Sequence, residues 1–350
     1  MTNQNWAGRV ICIIGLGSSG RACCEVLSTL GAKVYGIDGQ EEAVANCSQD
    51  YPHAQFYQGQ GDNWEDLLDK IDPSLLVVSP GVPPRHSAFT WAKKHQVELW
   101  GEVELAWQIQ KTATSRPNTP WLTVTGTNGK TTTVGMTQSI LQAAGYEALA
   151  VGNVGSPVVL AAAQAKAQVL AVELSSFQLY TISSLSPLAA VCLNIDADHL
   201  DWHGSEAAYV AAKARVYERA QKAVLYNQQD SRTLDLTLAA DVTEGCRAIG
   251  FTTGIPDIYQ LGLVENMLID RAYSANPYKE AVALVGMGDF HYYHGEPGIT
   301  VLQDALAAAG LTRALGVAPE AVRDGIRSFV PQAHRRAIVG QAAQVTWIDD

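Results

Sequence analysis

Between Arg9 and Gln110 short apolar runs alternate with amphipathic stretches. Val10–Gly15 and Lys33–Asp38 read as strands, Ser19–Leu30 between them as a helix, Leu75–Ser79 as a strand and Gly101–Gln110 as a helix. That alternation predicts a parallel sheet wrapped by helices. Lys111–Pro120 carries two prolines and no apolar period, so it reads as a linker and marks a domain boundary. A second series follows: strand Trp121–Thr125, helix Lys130–Ala144, strand Glu147–Val151, helix Ser156–Ala163, strands Val169–Leu174 and Ala189–Asn194, and helix Glu206–Ala220. From Asp230 to about Ile299 the pattern assigns nothing. Helices Thr300–Leu311 and Pro319–Phe329 and a strand Val345–Ile348 come after it. The expected class is α/β, with one domain over 1–112, a second over 113–340 and the start of a linker at 341–350.

Two glycine loops sit where this pattern turns from strand to helix. Gly15-Leu16-Gly17-Ser18-Ser19-Gly20 fits G-x-G-x-x-G, and Asp38 ends the next strand. Glycines let the backbone approach a ligand closely, and the amides at the helix start can hold an anion. The loop predicts a nucleotide or phosphate without specifying NAD; a plain tight turn is the bland alternative. Ser79-Pro80-Gly81 follows another strand and is expected to face the same crevice, since ligands in open α/β sheets bind at the carboxyl ends of strands.

The second loop, Thr125-Gly126-Thr127-Asn128-Gly129-Lys130-Thr131-Thr132, is a contracted phosphate loop, G-x-x-G-K-T, with Val124 in the place of the usual first glycine. Its amides would cradle phosphates, Lys130 would bridge their oxygens and the Thr131 hydroxyl would join a Mg²⁺ shell. No guanine-reading N-K-x-D is present, which favours ATP. Glu173 and His199 follow strands at the same predicted sheet edge and are candidate metal or phosphate ligands. Lys213 reads by itself as a solvated helix charge.

Composition narrows the classes. The net charge is −11, from 24 basic and 35 acidic residues, which disfavours nucleic acid and anionic membranes as partners. Six cysteines occur without a C-x-x-C pair, so neither a zinc site nor a disulfide framework is expected. The polar start and the lack of an apolar run of about 18 residues predict a cytoplasmic protein.

Taken in order, Gly15–Gly20, Ser79-Pro80-Gly81, TGTNGKTT at 125–132, Gly152-Asn153-Val154-Gly155, ELSSFQL at 173–179, NIDADHLD at 194–201 and AAKAR at 211–215 resemble the Mur ligase family. TGTNGKTT is shared with folylpolyglutamate synthetases, whereas ELSSFQL behind a G-x-G-x-x-G domain resembles the branch that adds D-glutamate to UDP-N-acetylmuramoyl-L-alanine. The resemblance covers about 9–225 and returns at His334-Arg335.

It implies a Rossmann-like parallel-sheet domain, then a P-loop-type central domain, then a third Rossmann-like domain that this chain does not include. The implied activity is ATP-dependent ligation through an acyl phosphate in peptidoglycan precursor synthesis, by a monomer. Gly17, Ser18, Ser19, Asp38, Ser79, Pro80 and Gly81 would contact the UDP-substrate, joined by Ser175 and Gln178. Gly126, Thr127, Asn128, Gly129, Lys130, Thr131, Thr132, Asn153 and Arg335 would hold ATP. Two Mg²⁺ ions are implied, one on Thr131 and Glu173, the other served by His199, with Lys213 carbamylated by CO₂ so that an anion replaces a cation near the metals. Lys130, His199 and Lys213 would be catalytic.

Several positions depart from the family. The segment opening the third domain, which supplies most D-glutamate contacts, would begin where Trp347-Ile348-Asp349-Asp350 stand. The family's H-N-x-x-N, which seats adenosine, is replaced near Phe290–His294, and Gly39-Gln40 and Arg336 also differ. Three other readings stay open: a truncated, inactive module binding UDP-sugar and ATP without forming the amide, another Mur ligase or folylpolyglutamate synthetase-like ligase, and an NAD-dependent dehydrogenase with a fused phosphate-binding domain.

Overall fold

The computed structural model describes residues 6–61, 63–113, 115–116, 118–291, 297–331, 337–342 and 345–349. Its first sheet holds β1 (Val10–Ile14), β2 (Lys33–Asp38), β3 (Gln55–Gln58), β4 (Leu75–Val78) and β5 (Glu98–Gly101). They are connected by α1 (Ser18–Thr29), α2 (Glu41–Asp50), α3 (Asn63–Ile71) and α4 (Ser87–His95), and the chain leaves through α5 (Glu102–Thr112). The order is β3-β2-β1-β4-β5, parallel throughout. β1 and β4 are central and covered on both faces, which explains their unbroken apolar runs. The chain leaves β1 toward one side of the sheet and β4 toward the other, so the loops after them flank a crevice at the carboxyl edge.

The second sheet has β6 (Trp121–Thr125), β7 (Ala148–Gly152), β8 (Val169–Glu173), β9 (Ala189–Cys192), β10 (Ala223–Asn227), β11 (Arg247–Phe251), β12 (Gln260–Val264), β13 (Met267–Asp270) and β14 (Val282–Gly286). The order is β14-β13-β12-β11-β10-β9-β6-β8-β7, with antiparallel pairing confined to β12, β13 and β14. Around it lie α6 (Lys130–Ala143), α7 (Val158–Gln164), α8 (Ser176–Tyr180), α9 (Leu200–His203), α10 (Glu206–Ala214), α11 (Ser231–Leu238), α12 (Ile299–Leu315) and α13 (Pro319–Ser328). A final hairpin pairs β15 (Ala337–Ala342) with β16 (Val345–Asp349).

The expected helix Glu206–Ala220 stops at Ala214 and passes into a single 3₁₀ turn, Arg215–Tyr217. Arg219 then takes φ +57°, a left-handed conformation no helix continues through. The helix expected from Ser156 starts only at Val158, because Pro157 is its cap. Residues 230–299, where no elements were assigned, contain α11, β11, β12, β13 and β14. Among the described residues no helix is long and apolar enough to cross a membrane.

α5 ties the two sheets together. Val103, Leu105 and Ala106 belong to the same apolar core as Val158, Leu170 and Cys192 of the second sheet's layer. Its two buried carboxylates are anchored across the junction: Glu102 accepts from the Val159 amide at 2.6 Å, and Glu104 from the Ser183 and Ser184 amides at 2.8 and 2.9 Å. Trp121 donates to Gln110 at 2.6 Å where the chain enters the second sheet. With the junction filled, the carboxyl edges of both sheets border a common cleft.

Candidate functional site

The first cleft has a volume of about 560 Å³. Its near wall is the glycine loop and the loop after β4: Gly17, Ser18, Ser19, Asp38, Ser79, Pro80 and Gly81 all line it, with Gly39 and Trp64. Its far wall comes from the second sheet, through Gly152, Asn153, Gly155, Pro157 and Gln178. The glycine loop is built by tight packing. Gly15 has φ +88°, and a Cβ on Gly20 would stand 2.0 Å from the Gly15 carbonyl oxygen. Ser79 Oγ donates to that same oxygen at 2.6 Å. Asp38 braces the loop, accepting from Leu16 N–H at 2.6 Å and Gln40 N–H at 2.8 Å. Among the described residues that line it, none is Lys or Arg. α1 begins at this cleft, and because its cap Gly17 offers no side-chain hydrogen bond its first-turn amides have the chemistry to accept an anion.

The second cleft, about 270 Å³, is lined by Thr127, Asn128, Gly129, Lys130, Thr131, Thr132, Asn153, Val154 and Glu173. Gly129 caps α6 with φ +84° and no side-chain cap. Lys130 Nζ folds onto the loop carbonyls of Gly126 and Thr127 at 3.0 and 2.9 Å. Thr131 Oγ1 donates to Glu173 Oε2 at 2.9 Å, and Asn153 Nδ2 donates to Oε1 of the same carboxylate at 2.9 Å. Asn153 lines both clefts, so the two adjoin at this residue.

Lys213 is not the solvated charge that its helix position suggested. It is 2% exposed, donates to the Gly126 carbonyl at 2.8 Å and lies 4.8 Å over the Tyr209 ring. Burial, with Lys130 adding repulsion, lowers its pKa to about 8. Two lysines thus converge on one carbonyl oxygen, a cationic pocket that an anion would relieve.

His199 takes φ +52° at the start of α9, stacks obliquely on Phe177 at 4.8 Å and meets Asp198 at 3.3 Å. Among the described residues no three His, Cys, Asp or Glu side chains gather to hold a metal. Gln178 and Ser175 form a reciprocal cap on α8; Gln178 lines the first cleft, while Ser175 serves as the cap itself. Arg335, with its neighbours His334 and Arg336, lies outside the described residues, as does most of the aromatic stretch after Phe290.

Two residues near the clefts were not anticipated. Trp64 borders the first cleft and meets His86 edge-on at 4.5 Å. Asp304, within the apolar α12, lies against the phosphate loop and accepts from Thr133 Oγ1 at 3.1 Å. Neither carries a local sequence signal, since each acquires its place only by tertiary packing.

Comparison with known proteins agrees with this geometry. Residues 9–101 match the Mur ligase MurD-like N-terminal domain, and residues 124–264 the Mur ligase middle domain. The chain is 45% identical to the UDP-N-acetylmuramoylalanine–D-glutamate ligase of Streptomyces coelicolor, over 99% of this chain and 72% of that protein. It is 39% identical to the enzyme of the same name from Leifsonia xyli subsp. xyli, over 99% and 69%. Among solved structures, the UDP-N-acetylmuramate:L-alanyl-gamma-D-glutamyl-meso-diaminopimelate ligase from Neisseria meningitides aligns with a TM-score of 0.55 at 15% identity, covering 93% of this chain and 99% of that one, a likeness of fold.

Proposed function

The chain belongs to the Mur ligase family, and from this premise we propose how its two clefts divide the work of an ATP-dependent carboxylate–amine ligase. The activity is the addition of D-glutamate to UDP-N-acetylmuramoyl-L-alanine in peptidoglycan precursor synthesis. The observation that carries the division is Asn153, shared by both clefts, which brings a ligand end in one beside a ligand end in the other.

In this reading residues 1–112 hold the uridine nucleotide. Its diphosphate lies on the α1 amides at Gly17, Ser18 and Ser19, its uridine beside Asp38 and Ser79–Gly81, and its muramoyl-alanine end toward Gln178 and Asn153. Residues 113–340 hold ATP. Gly126–Thr132 wrap the phosphates, and the nucleoside runs past Thr131 and Thr132 into a groove of about 240 Å³ that those threonines share with Gln138 and Ser139. The substrate carboxylate attacks the γ-phosphorus and ADP leaves. The amine of D-glutamate then attacks the acyl carbon, and phosphate departs carrying one carboxylate oxygen. Lys130 offsets the charge that grows on the transferring group.

The carboxylate of Glu173 and the hydroxyl of Thr131 are hard oxygen donors of the kind Mg²⁺ prefers. A bound Mg²⁺ would supply further charge neutralisation on the phosphoryl oxygens. We assign His199 and Lys213 to a second ion. Lys213, depressed by burial to about 8, keeps a share of neutral amine near neutrality. Addition of CO₂ to that amine forms an N–C bond, releases one proton and leaves an anion beside Lys130. In this reading the reaction is cytoplasmic, where nucleotide substrates are found, and the enzyme acts as a monomer.

The test is incubation with UDP-N-acetylmuramoyl-L-alanine labelled with ¹⁸O in its carboxylate, ATP, Mg²⁺ and D-glutamate. Phosphate release that requires D-glutamate and carries the label is expected. Binding of both nucleotides with no such release would identify a binding module instead.

A further inference from the structure

α12 packs against α6, the helix that the phosphate loop opens, and against β9, β10 and β11. Its residues Val301, Ala305 and Ala308 are part of a continuous apolar core, yet Asp304 is set among them and is 6% exposed. Asp304 Oδ1 accepts from Thr133 Oγ1 at 3.1 Å and stands 2.2 Å from where a Cβ on Gly129 would lie. The carboxyl group therefore touches the back of the loop whose front, at Gly129 and Lys130, lines the ATP cleft.

We propose that Asp304 is a positioning residue for the phosphate loop that works as an uncharged acid. Protonated, it fills the space behind Gly129 and holds Thr133; ionised, it puts a negative charge behind the amides that must hold phosphate. Burial in an apolar layer favours the neutral form of a carboxyl group that no cation compensates among the described residues. Here burial pushes the group up to about 8 against the opposing hydrogen bond from Thr133. The titratable groups on the packed elements, Lys130 on α6, Cys192 on β9, Tyr226 on β10, Arg247 on β11 and the charged residues of α13, leave that balance unaltered. Nothing in the reaction itself uses this acid. The inference rests on the ATP reading of the loop.

The experiment is calorimetric titration of the full chain with Mg²⁺ and a non-hydrolysable ATP analogue, from about pH 6.5 to 9, in buffers of different ionisation enthalpy. Wild type should take up about half a proton more per nucleotide than Asp304→Asn near pH 8. Its affinity should fall with rising pH on the order of tenfold further than that of the variant. Lys213 titrates in the same range, but it is present in both proteins and cancels in the difference. Thr133→Val removes a hydrogen bond that favours the ionised form, so its inflection should move to higher pH. Equal proton uptake and equal pH dependence in wild type and Asp304→Asn, or an inflection in Thr133→Val that stays put, would overturn the proposal while leaving the loop's ligand intact. Failure of wild type to bind the analogue at any pH would overturn the ATP reading, and the inference with it.

Discussion

Replacing Glu102 by glutamine probes the junction that sets the two clefts against each other. Glu102 is 2% exposed; its Oε1 takes the Val159 amide at 2.6 Å and its Oε2 is buried without a partner among the described residues. Burial raises the carboxyl from 4.5 to about 7, with the backbone hydrogen bonds opposing. The folded chain thus keeps a proton that the unfolded chain gives up, so stability is greatest below about pH 4.5 and declines as pH rises toward 7. Each unit of that gap is worth about 1.4 kcal/mol, so between about pH 5 and 8 wild type should lose about 2.5 kcal/mol that Glu102→Gln retains. The amide NH₂ inherits a site without an acceptor, at a cost of about 1–3 kcal/mol at every pH. The diagnostic is therefore the slope and not the offset. Urea denaturation across this range measures it, and parallel stability curves for the two proteins would refute the reasoning.

Other consequences are as direct. Lys130→Ala should lower ATP-dependent phosphate release by at least about 100-fold, since it deletes the cation facing the transferring group; turnover near the wild-type rate would contradict the loop's role. Lys213→Ala should be inactive and partly restored by short carboxylic acids that replace a carbamate, whereas a fully active variant would exclude that modification. Trp64→Ala should weaken UDP binding about three- to tenfold, with Trp64→Phe close to wild type and the ATP analogue unaffected in both, as calorimetry can report. Gly129→Ala should lower the melting temperature: φ +84° costs a side chain roughly 1–2 kcal/mol, and the new methyl meets Asp304.

What was legible in the sequence follows from where burial is two-sided. β1, β4, β6 and β8 are interior strands, and their apolar runs end in glycine, serine or glutamate at the carboxyl edge that borders the clefts. The phosphate loop, the first glycine loop and Glu173 could therefore be placed from local pattern. α2 was missed because only Cys47 is buried on it, and β3 because none of its residues is fully buried. The stretch 230–299 was unreadable for a related reason: β11 to β14 run out to the sheet edge, switch from parallel to antiparallel pairing and alternate buried with exposed positions irregularly. Read by itself, Lys213 passes for a solvated charge because its helix offers an ordinary polar position; the amine is buried where it meets the Gly126 carbonyl and the ring of Tyr209, one turn earlier on α10. The convergence of Asn153 on both clefts is likewise tertiary, the product of α5 bridging two sheets.

A uridine nucleotide and ATP are expected to occupy adjoining clefts and to meet at Asn153. A crystal soaked with UDP-N-acetylmuramoyl-L-alanine, Mg²⁺ and a non-hydrolysable ATP analogue examines this arrangement directly. The uridine diphosphate should lie between the α1 amides and Ser79–Gly81, the triphosphate on Gly126–Thr132, and the alanine carboxylate should point at the γ-phosphate. Density for both ligands in one cleft, or a first cleft that takes up no uridine nucleotide, would contradict it.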